Sequence, residues 1–182
     1  EGALARRADA LCDWMAFTWR SAERASRGPE ARAEVLCLGD SLVKQGVLPR
    51  VLSGRLGRPA YNLAVHGGQA PASYFLLKRA LERGARPKLV LIDFHPNLLA
   101  SSPTSGVPYW SDLLNARELI DLGLATRDTR LVLRTVAYGL FPSVKNRGAI
   151  RSAVLAALRG GESDEGTLCR ALGRNFRENL GA

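Results

Sequence analysis

Apolar and polar positions divide this chain into blocks whose spacing changes from helical to strand-like and back. From residue 3 to about 27 an Ala- and Arg-rich stretch carries Leu4, Leu11, Met15 and Trp19 roughly in helical phase, and Gly28-Pro29 closes it. Val35 to Leu38 is a short, continuous apolar run and predicts a strand. Pro49, a good first-turn residue, opens a helix that runs to Gly57. Pro59 to Val65 predicts a second strand. Pro71 then opens a helix through PASYFLLKRALERG that Gly84 ends, and Lys88 to Phe94 (KLVLIDF) is the third and clearest strand. All three strands are apolar on both faces, as a parallel sheet covered by helices on both sides requires. Strand-helix-strand-helix-strand with right-handed crossovers gives an α/β, doubly wound parallel sheet.

Beyond His95 the pattern turns helical. SSPTSGVP, residues 101 to 108, reads as a loop, followed by helices in WSDLLNARELIDLGL, TRLVLRTVAYGL and NRGAIRSAVLAALRG. GGESDEG is a polar loop and TLCRALGRNFRENL a further helix. No fourth strand stands out, although LVLRTVAYGL also fits one. Three strands are few for this architecture, so the chain reads as a fragment whose sheet is incomplete at the C-terminal side. Its first residue, Glu1 rather than Met, points to a processed or trimmed form. The expected organisation is one domain over residues 1–182: a leading helix (1–28), a sheet core (34–99) and a mostly helical region (100–182).

Composition narrows the classes of function. At 182 residues, with 46% hydrophobic and 24% charged residues, the chain suits one soluble globular domain. Lys and Arg number 26 against 17 Asp and Glu, for a net charge of +9. The excess is scattered arginine (Arg6, Arg7, Arg20, Arg24, Arg27, Arg32) without a basic run, so solvated helix faces are expected and no nucleic-acid partner. Cys12, Cys37 and Cys169 are far apart, and only two histidines are present, so no metal site is expected. Cys37 reads as a small core residue. No apolar stretch reaches the roughly 18 residues of a membrane span. Cytoplasmic and exported locations both stay open, as does the oligomeric state.

In α/β sheets, functional groups gather at the C-terminal ends of the strands. Here those ends are Gly39-Asp40-Ser41, His66-Gly67-Gly68-Gln69 and Asp93-Phe94-His95-Pro96-Asn97. They supply a hydroxyl, a glycine turn with backbone N–H groups, and amide, imidazole and carboxylate groups. Acyl transfer needs such parts: a nucleophile, donors for the developing oxyanion, and a base for the serine proton.

These three blocks resemble the SGNH (GDSL-type) serine hydrolases over roughly residues 34 to 99. Gly39-Asp40-Ser41-Leu42 after a strand looks like their first block. Asn62-Leu63-Ala64-Val65-His66-Gly67-Gly68 is similar to the second, and PKLVLIDFHPN stands where the third normally carries Gly-x-Asn-Asp. The resemblance implies a flavodoxin-like, SGNH-type sheet without cofactor or metal. It implies Ser41 as nucleophile, with Asp40 beside it in the motif. N–H groups of Ser41 and of Gly67 or Gly68 would line an oxyanion hole, with Asn62 in the second block. His95 or Asn97 would take the place of the third-block amide. The family's Asp-x-x-His, which supplies the base, is absent from this chain, and His95 at a neighbouring strand tip is the available substitute.

Each of these residues also has a structural role open to it. Ser41 and Asp40 suit a helix start, Gly67-Gly68 a tight turn, Asn62 the satisfaction of backbone groups near a strand end, and His95 a loop hydrogen bond. Asp93 is expected to be either buried with a partner or part of the site. Ser41-x-x-Lys44 matches the serine–lysine spacing of penicillin-recognising enzymes, but their companion motifs are missing and Lys44 is expected in solvent. Tyr109 and Trp110 are expected either to anchor their loop to the core or to wall a binding site. The leading functional expectation is a serine ester hydrolase or acyltransferase acting on a small-molecule or glycan ester. The alternative is a non-catalytic module of the same type that binds a carbohydrate or acyl ligand. A nucleotide-binding flavodoxin-like domain suits the elements, but the chain has neither phosphate-binding glycine motif.

Overall fold

Among the described residues the first helix begins at Asp13, whose carboxylate accepts from the N–H groups of Met15 (2.9 Å) and Ala16 (3.2 Å); residues 3–12 of the expected leading helix lie outside them. The structure, a computed structural model, describes residues 13–159 and 173–181. Helix α1 is Trp14–Arg27, and a 3₁₀ turn over Pro29–Arg32 leads into strand β1, Val35–Gly39. Helix α2 (Ser41–Gly46), helix α3 (Pro49–Leu56), strand β2 (Ala60–Asn62), helix α4 (Ala70–Glu82) and strand β3 (Leu89–Asp93) follow. Pro49 starts α3 and a left-handed Gly57 (φ 62°) stops it, as the sequence leads one to expect. β2 is shorter than the apolar run around it. Residues 63–65 nevertheless continue toward β1, with Leu63 N–H bonded to Cys37 O (2.8 Å) and Val65 N–H to Gly39 O (3.1 Å).

The sheet is parallel throughout with strand order β2-β1-β3, and Val35 stands opposite both Ala60 and Leu89. β1 is buried along its whole length. Its alternate residues divide the core in two. Leu36 and Leu38 meet Trp19, Ala22, Phe75 and Leu76 from α1 and α4, while Val35 and Cys37 meet Val43, Leu52 and Ala64 on the opposite face. α4 fits its side through Ala72, Phe75, Leu76, Arg79 and Ala80, a regular i, i+3, i+4 stripe. Cys37 is a buried, unpaired thiol, and burial pushes its pKa up to about 11.

Helices cover β1 on both faces, but β3 departs from the expected coverage. Its outer edge has no strand partner among the described residues, and Leu89 and Ile92 are 49% and 52% exposed. The cause is the direction of the chain after β3. Helix α5 (Pro96–Ala100) is one turn long, and helix α6 (Val107–Leu113) then packs against α1 instead of returning along β3. Trp110 and Tyr109 lie on α6. Trp110 is buried edge-to-face on Trp19, with ring centroids 4.9 Å apart, so the two aromatics anchor this segment.

WSDLLNARELIDLGL is two helices, not one. Asn115 interrupts it with a capping box, its side chain accepting from Glu118 N–H and its own N–H donating to Glu118 (both 2.9 Å), and helix α7 (Ala116–Thr126) starts there. Helix α8 (Thr129–Leu140), capped by Asp128, settles the ambiguity of LVLRTVAYGL in favour of a helix. A turn of helix at Pro142–Lys145 and helix α9 (Arg147–Leu158) complete this region. The expected GGESDEG loop and residues 167–172 of the expected last helix lie outside the described residues, while 173–178 are helical. No described helix is long and apolar enough to cross a membrane.

Candidate functional site

The three strand tips meet because two glycines leave no room for side chains between them. Gly39 has φ 143°, and a Cβ there would lie 2.1 Å from Asp93 O. A Cβ on Gly68 would lie 2.8 Å from Gly39 O. The β1 tip is therefore packed directly between the turn after β2 and the end of β3.

Asp40 locks this junction. It is fully buried, one carboxylate oxygen accepting from Leu42 N–H (2.8 Å) to cap α2 and the other from His95 N–H (2.7 Å) to hold the loop after β3. Asp40, not Ser41, is the N-cap. Ser41 occupies the first position of α2, partly exposed, and its hydroxyl has no hydrogen-bond partner among the described residues. The N–H groups of Ser41 and Gly67 likewise have no acceptor among the described residues, whereas Gly68 N–H closes a turn on Val65 O (3.0 Å).

Asn62 does not face this junction. It is buried, donating to Val43 O (3.0 Å) and Val47 O (3.2 Å) and accepting from Ala64 N–H (2.9 Å), and so fastens α2 to β2. Asp93 is exposed and bonded to the adjacent Phe94 N–H, so it is not buried with a partner. His95 and Asn97 are exposed at the start of α5, where His95 Nδ1 accepts from Asn97 N–H (3.3 Å). A neutral imidazole that accepts at Nδ1 carries its proton on Nε2, so in this arrangement it has no free lone pair for the serine proton. No hydrogen bond joins His95 to Ser41 among the described residues. The loop after β3 is also tied to the turn after β2 by Gln69, whose amide donates to Ser101 O, Ser101 Oγ and Ser102 O (2.8–3.1 Å).

Lys44 is the largest departure from expectation. It is buried rather than solvated, because residues 173–181 fold over it: its Nζ donates to Gly181 O and sits 4.5 Å from the centre of the Phe176 ring. Burial lowers its pKa from 10.5 to about 7. His66 is buried nearby, against Trp14, with Nε2 3.3 Å from Gln45 Nε2. Desolvation and the Lys44 charge lower its pKa from 6.5 to about 4, against a smaller opposing effect of Asp40. The burial of Lys44 has no local signal in the sequence, since it depends on a segment more than a hundred residues away. No group of three or more His, Cys, Asp or Glu able to hold a metal ion occurs among the described residues.

Comparison with protein-family models, with curated proteins and with solved structures finds no match to this chain.

Proposed function

We propose that the chain is an SGNH/GDSL-like serine ester hydrolase or acyltransferase that forms an acyl-enzyme on Ser41. The observation that carries this reading is the Ser41 hydroxyl just beyond the β1 tip, where the strand ends meet; it, its own N–H and that of Gly67 have no hydrogen-bond partner among the described residues. In the reaction Ser41 Oγ attacks the ester carbonyl carbon and passes its proton to a water molecule, which returns it to the departing alkoxide. The carbonyl oxygen takes the negative charge, which backbone N–H groups stabilise, and the C–O bond to the alcohol then breaks. Water or a second alcohol accepts the acyl group.

Among the described residues neither histidine is bonded to Ser41; His95 Nδ1 accepts from Asn97 N–H and His66 Nε2 meets the Gln45 amide instead. Ester turnover by this chain is therefore expected to be slow. Reaction with a fluorophosphonate, whose good leaving group makes less demand on a base, tests the nucleophile directly. The expected result is one adduct, mapped to Ser41 by mass spectrometry and absent from Ser41→Ala. Labelling that survives in Ser41→Ala overturns the reading. That no base is bonded to Ser41 among the described residues favours the alternative, a non-catalytic module that binds a carbohydrate or acyl ligand at the same strand tips. A folded protein that never labels at Ser41 selects that alternative.

A further inference from the structure

α1, α2, His66 and residues 175–176 line a cavity of about 140 Å³ whose nitrogen-bearing side chains are Lys44, Gln45, His66 and Asn175. Two features of its wall are incomplete. Lys44 is a buried amine whose only described contacts are one carbonyl and one aromatic face, with no carboxylate paired to it among the described residues. A buried ammonium without a counter-charge is unfavourable unless an anion joins it. His66 supplies the second. The Gln45 amide donates to Nε2, which places the imidazole proton on Nδ1, and Nδ1 is buried without a hydrogen-bond partner. The remaining wall is mainly apolar, formed by Phe17, Leu48 and Phe176, with Thr18 and Asn175 beside them.

We propose that this cavity binds a small aliphatic monocarboxylate, its carboxylate held by the Lys44 ammonium and the His66 Nδ1–H and its hydrocarbon tail set against Phe17, Leu48 and Phe176. With one cation at the cavity and the buried Asp40 carboxylate already close enough to act on His66, no more than a single added negative charge is favoured, which excludes a phosphate dianion. The volume is close to that of an engineered apolar cavity of about 150 Å³ that holds benzene, so a chain of about four carbons fits. The inference is independent of Ser41, which does not line this cavity.

Butyrate titrated into the full chain, followed by ¹⁵N NMR of the lysine and histidine side chains and by calorimetry, provides the test. Saturable one-to-one binding that moves the Lys44 and His66 signals is expected. It should weaken at least tenfold in Lys44→Met, which keeps the length of the side chain and removes the charge, and also in His66→Phe. Butyramide, the neutral analogue, should not bind. Saturable binding that persists unchanged in Lys44→Met, equal binding of butyramide, displacement by equimolar chloride, or no shift at 50-fold excess of butyrate over protein would each overturn the proposal.

Discussion

Asp40 and His66 show how much a single buried side chain can decide. Asp40 has committed both oxygens to backbone N–H groups, one in α2 and one beyond β3, so it acts as a fastener and leaves Ser41 free of any capping duty. His66 has a consequence for stability. Its folded pKa of about 4 lies below its ordinary 6.5, so the unfolded chain takes up the proton first on acidification. Its stabilising contribution is complete above pH 6.5 and is lost as the pH falls from 6.5 to 4. Urea denaturation across that window should show a loss on the order of 2 kcal/mol that His66→Gln flattens. An equal loss in the variant would assign the acid sensitivity elsewhere. Lys44 has the same sign in a higher window, its contribution complete above 10.5 and lost as the pH falls toward 7. Of these residues the sequence made Gly39-Asp40-Ser41 legible, because a strand that stops at Gly-Asp-Ser is local punctuation. It gave no sign that Lys44 is buried, since a lysine one turn into a helix looks the same whether or not a distant segment covers it.

Elements were readable where their ends carried local chemistry. Pro49 and Gly57 bracket α3, Pro71 and Gly84 bracket α4, and each strand was a compact apolar run. The split between α6 and α7 was also encoded, in Asn115-Ala-Arg-Glu118, but an apolar periodicity running through it masked the cap. Glu118 has a second role that no local pattern announces. It meets the buried Arg79 of α4 through two hydrogen bonds, Nη2–Oε2 at 2.6 Å and Nε–Oε1 at 3.2 Å, joining α7 to the sheet-covering helix. Glu118→Ala should cost about 3 kcal/mol in chemical denaturation, because it strands a buried guanidinium and removes half of the capping box. A change under about 1 kcal/mol would mean that Glu23, 3.7 Å from Arg79, takes over the charge.

For the molecule as a whole, the strand order β2-β1-β3 leaves the two outer strands in different circumstances. The edge of β2 is met by the end of the chain, where Asn62 N–H donates to Leu180 O (3.1 Å), while β3 stays open and apolar. Exposed Leu124, Leu133, Leu140, Phe141 and Leu158 extend this character over the C-terminal helices. Dye-binding fluorescence with anilinonaphthalene sulfonate should therefore be strong in the native state, and Ile92→Lys should reduce it while changing stability by no more than about 0.5 kcal/mol. Weak native fluorescence would show that these side chains are covered in solution.

The bond from Lys44 to Gly181 spans 137 residues, and Asn62 reaches almost as far. Contacts so distant along the chain close late, after the entropy of a long loop has been overcome. During synthesis, β1 and α2 emerge long before the residues that roof the cavity, so a ribosome-bound chain can form the Gly39–Asp93 junction while Lys44 is still in water. The junction beside Ser41 and the cavity at Lys44 are thus completed at different times: the first matures with the sheet, the second only after residues 173–181 have been made.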